Sequence, residues 1–264
     1  MPELPDVEIF KQYLESTALH QEISCIEFYT PEMLQDIAAK ELPRALKGQS
    51  LNSASRHGKY LFASISNSRW LVFHFGMSGF FKYFKDMQDD TAHDRLRIDF
   101  KNGYHLAYDS KRKLGKIALA EDKIEFLNKL QVGPDVLSAD FTYQKFQNIL
   151  DKRRGYLKST LMNQAVMSGI GNIYSDEILF QAGIHPQTKL DALDSNTKRN
   201  IYEQLQFVLN AAITAHAEPQ KMPENFLLPH RKKGSNCPKC KRQVSTLKVA
   251  GRTSFYCPNC QPQK

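Results

Sequence analysis

"LRIDFKNGYHLAYD", residues 96–109, decides the fold class: two runs of alternating apolar and polar residues flank Asn102-Gly103, the pair that tight hairpin turns prefer. A second stretch of the same kind, "RWLVFHFGMSGFFKYF" (69–84), lies just upstream. Short alternating runs extend from Ile23 to Leu119, behind a first helix ending about Leu14, so the first half reads as an antiparallel β-sandwich or barrel. From about Phe126 the apolar spacing becomes helical, in "YQKFQNIL" (143–150), "LKSTLMNQAV" (157–166), "NIYSDEILFQAG" (172–183) and "SNTKRNIYEQLQFVLNAAITAHA" (195–217). The expected fold class is therefore α+β. Its expected divisions are a sheet domain over 1–125, a helical domain over 126–220, and a loop with a cysteine-rich module over 221–264. Asp194 or Ser195 suits the cap of the last helix, expected to run to about His216. The following "AEPQKMPENFLLPHRKKGSN" (217–236) has three prolines and reads as a connecting loop.

The 264 residues suit two domains, and the net charge of +8 suits a polyanionic partner without choosing nucleic acid over a membrane surface. The distribution says more. Residues 220–264 carry ten lysines and arginines against one acid, Glu224, whereas the rest of the chain is nearly neutral. No apolar run approaches bilayer length, and the first residues lack the basic and apolar regions of a secretion signal, so a cytosolic, reducing setting is expected.

Cys237, Cys240, Cys257 and Cys260 form C-x2-C-x16-C-x2-C, two short pairs that each bring two thiolates to one corner of a tetrahedral zinc site. The set is closed, so the metal is expected to be structural. Paired disulfides are the alternative that a reducing compartment disfavours. Cys25, in "EISCIEF" (22–28), alternates like a strand residue and reads as a small core side chain.

Other stretches allow two readings each. "SGIGNIYSDE" (168–177) is either a helix mouth that offers backbone N–H groups to an anion such as a phosphate, with Asn172 at its rim, or a packing corner that needs glycine. Lys59, in "RHGKYL" (56–61), is either a phosphate ligand or a solvated strand lysine. In "HFGMSG" (74–79), His74 reads as a satisfied core histidine and Met77 falls in a turn; "DSKRKLGK" (109–116) puts Arg112 and Leu114 in a basic loop. The opening "PELPDVE" (2–8) suits a helix start, with proline and carboxylates in the first turn.

Taken in order and spacing, "PELPDVE", "GKYL", "HFGMSG", "SGIGNIYSDEILFQAGIHP" and "GRTSFYCPNCQ" resemble the formamidopyrimidine-DNA glycosylase and endonuclease VIII family of DNA repair enzymes along the whole chain, in the formamidopyrimidine-like branch. The resemblance implies a helix-two-turn-helix element and a zinc-ribbon hairpin. It implies a bifunctional glycosylase and AP lyase acting on damaged double-stranded DNA as a monomer, in the cytoplasm at the bacterial nucleoid. It implies that Met1 is removed and that Pro2 becomes the nucleophile, with Glu3 as the acid that protonates the sugar ring oxygen. Glu3 stands at a helix start, which favours its charged form, so that role calls for opposing desolvation. Lys59 matches the family's catalytic lysine, which holds the sugar and phosphate of the lesion, and Asn172 and Arg252 match its phosphate clamps. Met77 and Arg112 match two of its three residues that fill the gap left by the flipped nucleotide; at the third position, commonly phenylalanine, stands Leu114. Asp6 replaces the usual glutamate of the opening motif, and 217–234, where the purine-covering loop is expected, departs from its usual sequence. The lesions implied are 8-oxoguanine and formamidopyrimidines. The alternatives are the same chemistry on oxidised pyrimidines or other lesions, and a non-catalytic protein that binds damaged DNA.

Overall fold

The structure, a computed structural model, describes residues 2–263. Met1, whose removal the resemblance implies, lies outside the described residues. Pro2 and residues 6–131 belong to one compact unit, and residues 3–5 belong to the other with the chain from Val132 onward.

Helix α1 (Leu4–Thr17) is followed in the first unit by β1 (Ile23–Phe28), β2 (Leu34–Gln35), α2 (Glu41–Leu46), β3 (Leu51–His57), β4 (Tyr60–Ile65), β5 (Trp70–His74), β6 (Gly79–Phe84), β7 (Asp94–Phe100), β8 (His105–Ser110), β9 (Lys116–Ala120) and α3 (Lys123–Lys129). Two sheets form, in the orders β1-β7-β8-β6 and β2-β9-β5-β4-β3, antiparallel except for the short β2–β9 pair. Alternation sends Leu61 and Phe73 from one sheet, and Phe81, Ile98 and Tyr108 from the other, into one core shared with Val7 and Leu14 of α1. Phe73 and Phe81 meet edge to face at 4.9 Å.

The hairpin of 96–109 forms, but its turn takes three residues rather than two. Phe100 and Tyr104 still pair, Gly103 adopts φ +82°, and the Asn102 side chain accepts the Tyr104 N–H at 3.0 Å. Cys25 is a correction: it is exposed. A bulge between Ile23 and Cys25 resets the alternation, so Ile23 and Ile26 face the core in its place.

In the second unit α4 (Tyr143–Asp151), α5 (Leu157–Met162), α6 (Asn172–Ala182) and α7 (Ser195–Thr214) precede a hairpin of β10 (Ser245–Val249) and β11 (Arg252–Tyr256). Phe146, Leu161, Ile170, Ile178, Leu205 and Leu209 build its core, and Leu4 packs into it. Asp194 caps α7 by accepting the Thr197 N–H at 2.7 Å. Ala250 and Gly251, both at positive φ, turn β10 into β11. Among the described residues no helix is long and apolar enough to cross a membrane.

Candidate active site

Glu3 is fully buried at the N-terminus of α6. Its carboxylate accepts the backbone N–H groups of Gly171 at 2.7 Å, Ile173 at 2.8 Å and Tyr174 at 3.2 Å, while the Leu4 N–H donates to the Gly169 carbonyl at 3.0 Å. These are the donors a helix leaves unpaired in its first turn, at its positive end. The two glycines make room for this docking. A Cβ at Gly171 would overlap the Glu3 carboxylate, and one at Gly169, which sits at φ +117°, would overlap the Leu4 side chain. The "SGIGN" turn thus combines both of its sequence readings with one change: the anion at the helix mouth is Glu3, and these three N–H groups are committed to it.

Beside this mouth, Lys158 of α5 is fully buried and donates to Asp176 at 2.5 Å, to Asn172 Oδ1 at 2.9 Å and to the Ser254 hydroxyl. Asn172 Nδ2 in turn donates to the Thr253 carbonyl at 3.0 Å. Asp176 also accepts from Arg231 Nε at 3.0 Å, from Arg231 Nη2 at 2.8 Å and from the Phe255 N–H at 3.1 Å. Its neighbour Glu177, pushed up to about 7 by burial, accepts the N–H groups of Leu227 at 3.1 Å and Leu228 at 2.7 Å. With Phe226 and Leu227 fully buried, the second half of the 217–234 loop is fastened to α6. None of Lys158, Asp176, Glu177 and Arg231 was singled out from sequence. The available signal was an Asp-Glu pair within the otherwise apolar turns of "NIYSDEILF".

The four zinc-motif sulfurs lie within 4.8 Å of one another, with Cys237 to Cys260 at 3.8 Å and Cys240 to Cys257 at 3.4 Å. Four thiolates about 2.3 Å from a tetrahedral zinc would stand roughly 3.8 Å apart, so the set fits that ion. Gln261, fully buried, accepts the Cys257 N–H at 3.0 Å and donates to the Ile184 carbonyl at 2.8 Å, seating this end of the metal site against the end of α6. Arg252, at the tip of the hairpin, is exposed.

In the first unit Lys59 occupies the tight turn between β3 and β4 and is 8% exposed, which excludes the solvated-lysine reading. Arg56 supports this turn: it donates to Glu8 of α1 at 2.9 Å and to the Gly58 carbonyl at 3.3 Å. Burial and the nearby Lys59 charge bring His74 down to about 4, so its imidazole is neutral at pH 7. Nδ1 accepts the Gly76 N–H at 3.3 Å, which leaves the ring proton on Nε2. The structure brings the Met77 and Arg112–Leu114 loops together. The Arg112 N–H donates to the Ser78 hydroxyl at 3.2 Å, and Gly76 lies so close to the Leu114 backbone that no Cβ fits. Met77 and Leu114 are apolar yet 39% and 50% exposed, and Arg112 is exposed as well.

Comparisons with known proteins agree along the chain. The family profile for the formamidopyrimidine-DNA glycosylase N-terminal domain matches residues 1–117, that for the formamidopyrimidine-DNA glycosylase H2TH domain residues 132–223, and that for the zinc finger found in FPG and IleRS residues 234–263. The chain is 32% identical to the formamidopyrimidine-DNA glycosylase of Streptococcus pneumoniae and 30% identical to that of Protochlamydia amoebophila, each over 99% of both chains. Among solved structures it is similar to Lactococcus lactis Fpg in complex with DNA containing an abasic site, with a TM-score of 0.90 and 28% identity, and to the same protein with FAPY-dG DNA, with a TM-score of 0.89 and 29% identity. Both matches cover 99% of this chain and 100% of the other. The four cysteines are accordingly the ligands of one structural zinc.

Proposed function

The chain belongs to the formamidopyrimidine-DNA glycosylase family, and from that premise we infer that Pro2, once Met1 is removed, is the nucleophile of a base excision repair reaction. The protein is a DNA glycosylase for oxidised purines with AP lyase activity, and its partner is damaged double-stranded DNA. Action as a monomer at the nucleoid, and 8-oxoguanine and formamidopyrimidines as the lesions, complete the reading.

The Pro2 nitrogen forms a bond to C1′ as the N-glycosidic bond breaks; the bond's electron pair leaves with the base, which takes up the proton that the amine nitrogen gives up. An α-amine has an ordinary pKa of about 8 against about 10.4 for lysine, so presenting it neutral costs roughly 3 kcal/mol less. Glu3 gives a proton to the ring oxygen as the C1′–O bond opens, leaving an iminium between Pro2 and C1′. That cation draws electrons from C2′, whose proton departs as the 3′ phosphate is expelled; the 5′ phosphate follows by a second elimination. Lys59, Asn172 and Arg252 hold backbone phosphates, while Met77, Arg112 and Leu114 fill the gap left in the stack.

One observation carries this reading: the residue next to Pro2, Glu3, is held immobile and dry by three N–H groups of α6. Borohydride reduction with a duplex carrying an abasic site is the test. The processed protein is expected to form a covalent adduct through Pro2, and Pro2→Gly or a form retaining Met1 to form little. A full adduct yield from the methionyl form would exclude Pro2.

A further inference from the structure

Asp176 has no role in the chemistry above, yet it is 1% exposed and receives four hydrogen bonds, three of them from cationic side chains. A carboxylate and two cations removed from water repay their desolvation only where geometry is tight and every polar atom is satisfied. Here the geometry joins three segments far apart in sequence. Lys158 comes from α5, Asp176 from α6, and Arg231 from the segment leading to the zinc hairpin. Arg231 also lies over the Phe255 ring at 4.6 Å and donates weakly to the Asn172 carbonyl at 3.4 Å.

The consequences run to both ends. Through Lys158, Asp176 fixes Asn172 Oδ1 and the Ser254 hydroxyl; through the Phe255 N–H it fixes β11. Arg252 stands three residues before Phe255 on that strand, and Thr253 accepts from Asn172. Asn172 and Arg252 are therefore not two independent contacts borne on a helix and a loop. They are parts of one rigid element whose internal joint is buried and ionic.

We propose that Asp176 and Arg231 are positioning residues for DNA binding, which hold Asn172 and Arg252 at a fixed separation matched to the backbone of the bound strand. The proposal rests on the reading of Asn172 and Arg252 as phosphate contacts. Arg231 acts through Asp176 and Phe255 and touches neither the sugar nor the base. Its loss loosens the hairpin relative to α6, so binding weakens while the chemical step, once DNA is saturating, is preserved.

The test compares Arg231→Met, Arg231→Lys and Phe255→Leu with Asn172→Ala and Arg252→Ala in the full zinc-loaded chain. The probes are binding of a duplex carrying a tetrahydrofuran abasic analogue and single-turnover cleavage of an abasic duplex. Zinc content and circular dichroism identify any variant that fails to fold, and Phe255→Leu, which removes the ring under Arg231 while keeping an apolar side chain against the Phe180, Leu227 and Val244 cluster, serves as the second variant in that case. Arg231→Met is expected to raise Kd about tenfold and to reduce the slope of log Kd against log salt by about one phosphate, roughly 0.9. Its saturated cleavage rate is expected to stay within about twofold of the parent, with Arg231→Lys recovering part of the affinity. A folded Arg231→Met with the parent Kd and salt slope overturns the proposal, as does one whose saturated rate falls in step with its affinity. If Asn172→Ala and Arg252→Ala themselves bind normally, the phosphate reading fails instead, and the two failures are distinct.

Discussion

Glu3 Oε2 accepts the amide N–H of Gly171 at 2.7 Å, across 168 residues of sequence. The catalytic assignment of the N-terminus depends on this contact, because it turns a carboxylate near the chain start into a fixed group at the mouth of a helix. Gly171→Ala would place a methyl group where the carboxylate sits. The expected result is loss of about 1–3 kcal/mol through N–H groups left unpaired, and a fall of roughly 100-fold or more in base release. Single-turnover assays on 8-oxoguanine duplexes and thermal melts check both. A Gly171→Ala protein with unchanged base release would detach Glu3 from the chemistry.

The hairpin depends on its metal. Cys237 and Cys257 are fully buried against Phe180, Leu227 and Val244, so removing zinc opens a small core as well as a ligand set. Cys257→Ser, or prolonged chelation, is expected to release zinc and raise Kd for abasic-analogue DNA at least about tenfold as the basic module loosens. Metal analysis beside a binding titration decides it.

Leu114, proposed to help fill the gap in the stack, exposes half of its surface without a ring to stack. Leu114→Phe is expected to strengthen binding to abasic-analogue duplexes by about 1 kcal/mol, roughly fivefold in Kd, and to sharpen the preference among opposite bases. Equal affinity for all four opposite bases before and after the change would separate this residue from opposite-base recognition.

Asp94 gives the first unit a pH dependence. Burial, and then the charges of Asp90 and Asp109, push its carboxyl up to about 7, and neither oxygen has a hydrogen-bond partner of normal geometry. A raised carboxyl contributes stability that is complete below the ordinary value of 3.8 and lost as pH rises through about 7. Discounted for partial exposure, the effect is of order 1–2 kcal/mol. Asp94→Asn should melt higher than the parent at pH 8 and show a flatter stability profile between pH 4 and 7.

What could be read from the sequence was local. The Asn102-Gly103 hairpin, the Asp194 cap and the paired cysteines each carry their signal within a few residues, and each forms in the structure. Cys25 was misread because alternation cannot reveal a bulge one residue away. Lys59 reads as solvated from its turn, since the local spacing carries no sign of the burial that leaves it 8% exposed. Asp176 and Arg231 are 55 residues apart, and nothing near either announces the other. Residues that bind through long-range partners are legible only once the fold supplies those partners.

The bond between Glu3 and Gly171 also sets a schedule. At a synthesis rate of 5–20 residues per second, Glu3 waits roughly 10–30 s after leaving the peptidyl transferase centre before its partner glycine is even made. Throughout that interval Glu3 has no seat, so on the proposed reading of Pro2 and Glu3 a nascent chain carries its nucleophile without the acid in place. Activity therefore arrives late and all at once, and any extension that tethers the amino terminus should delay it further.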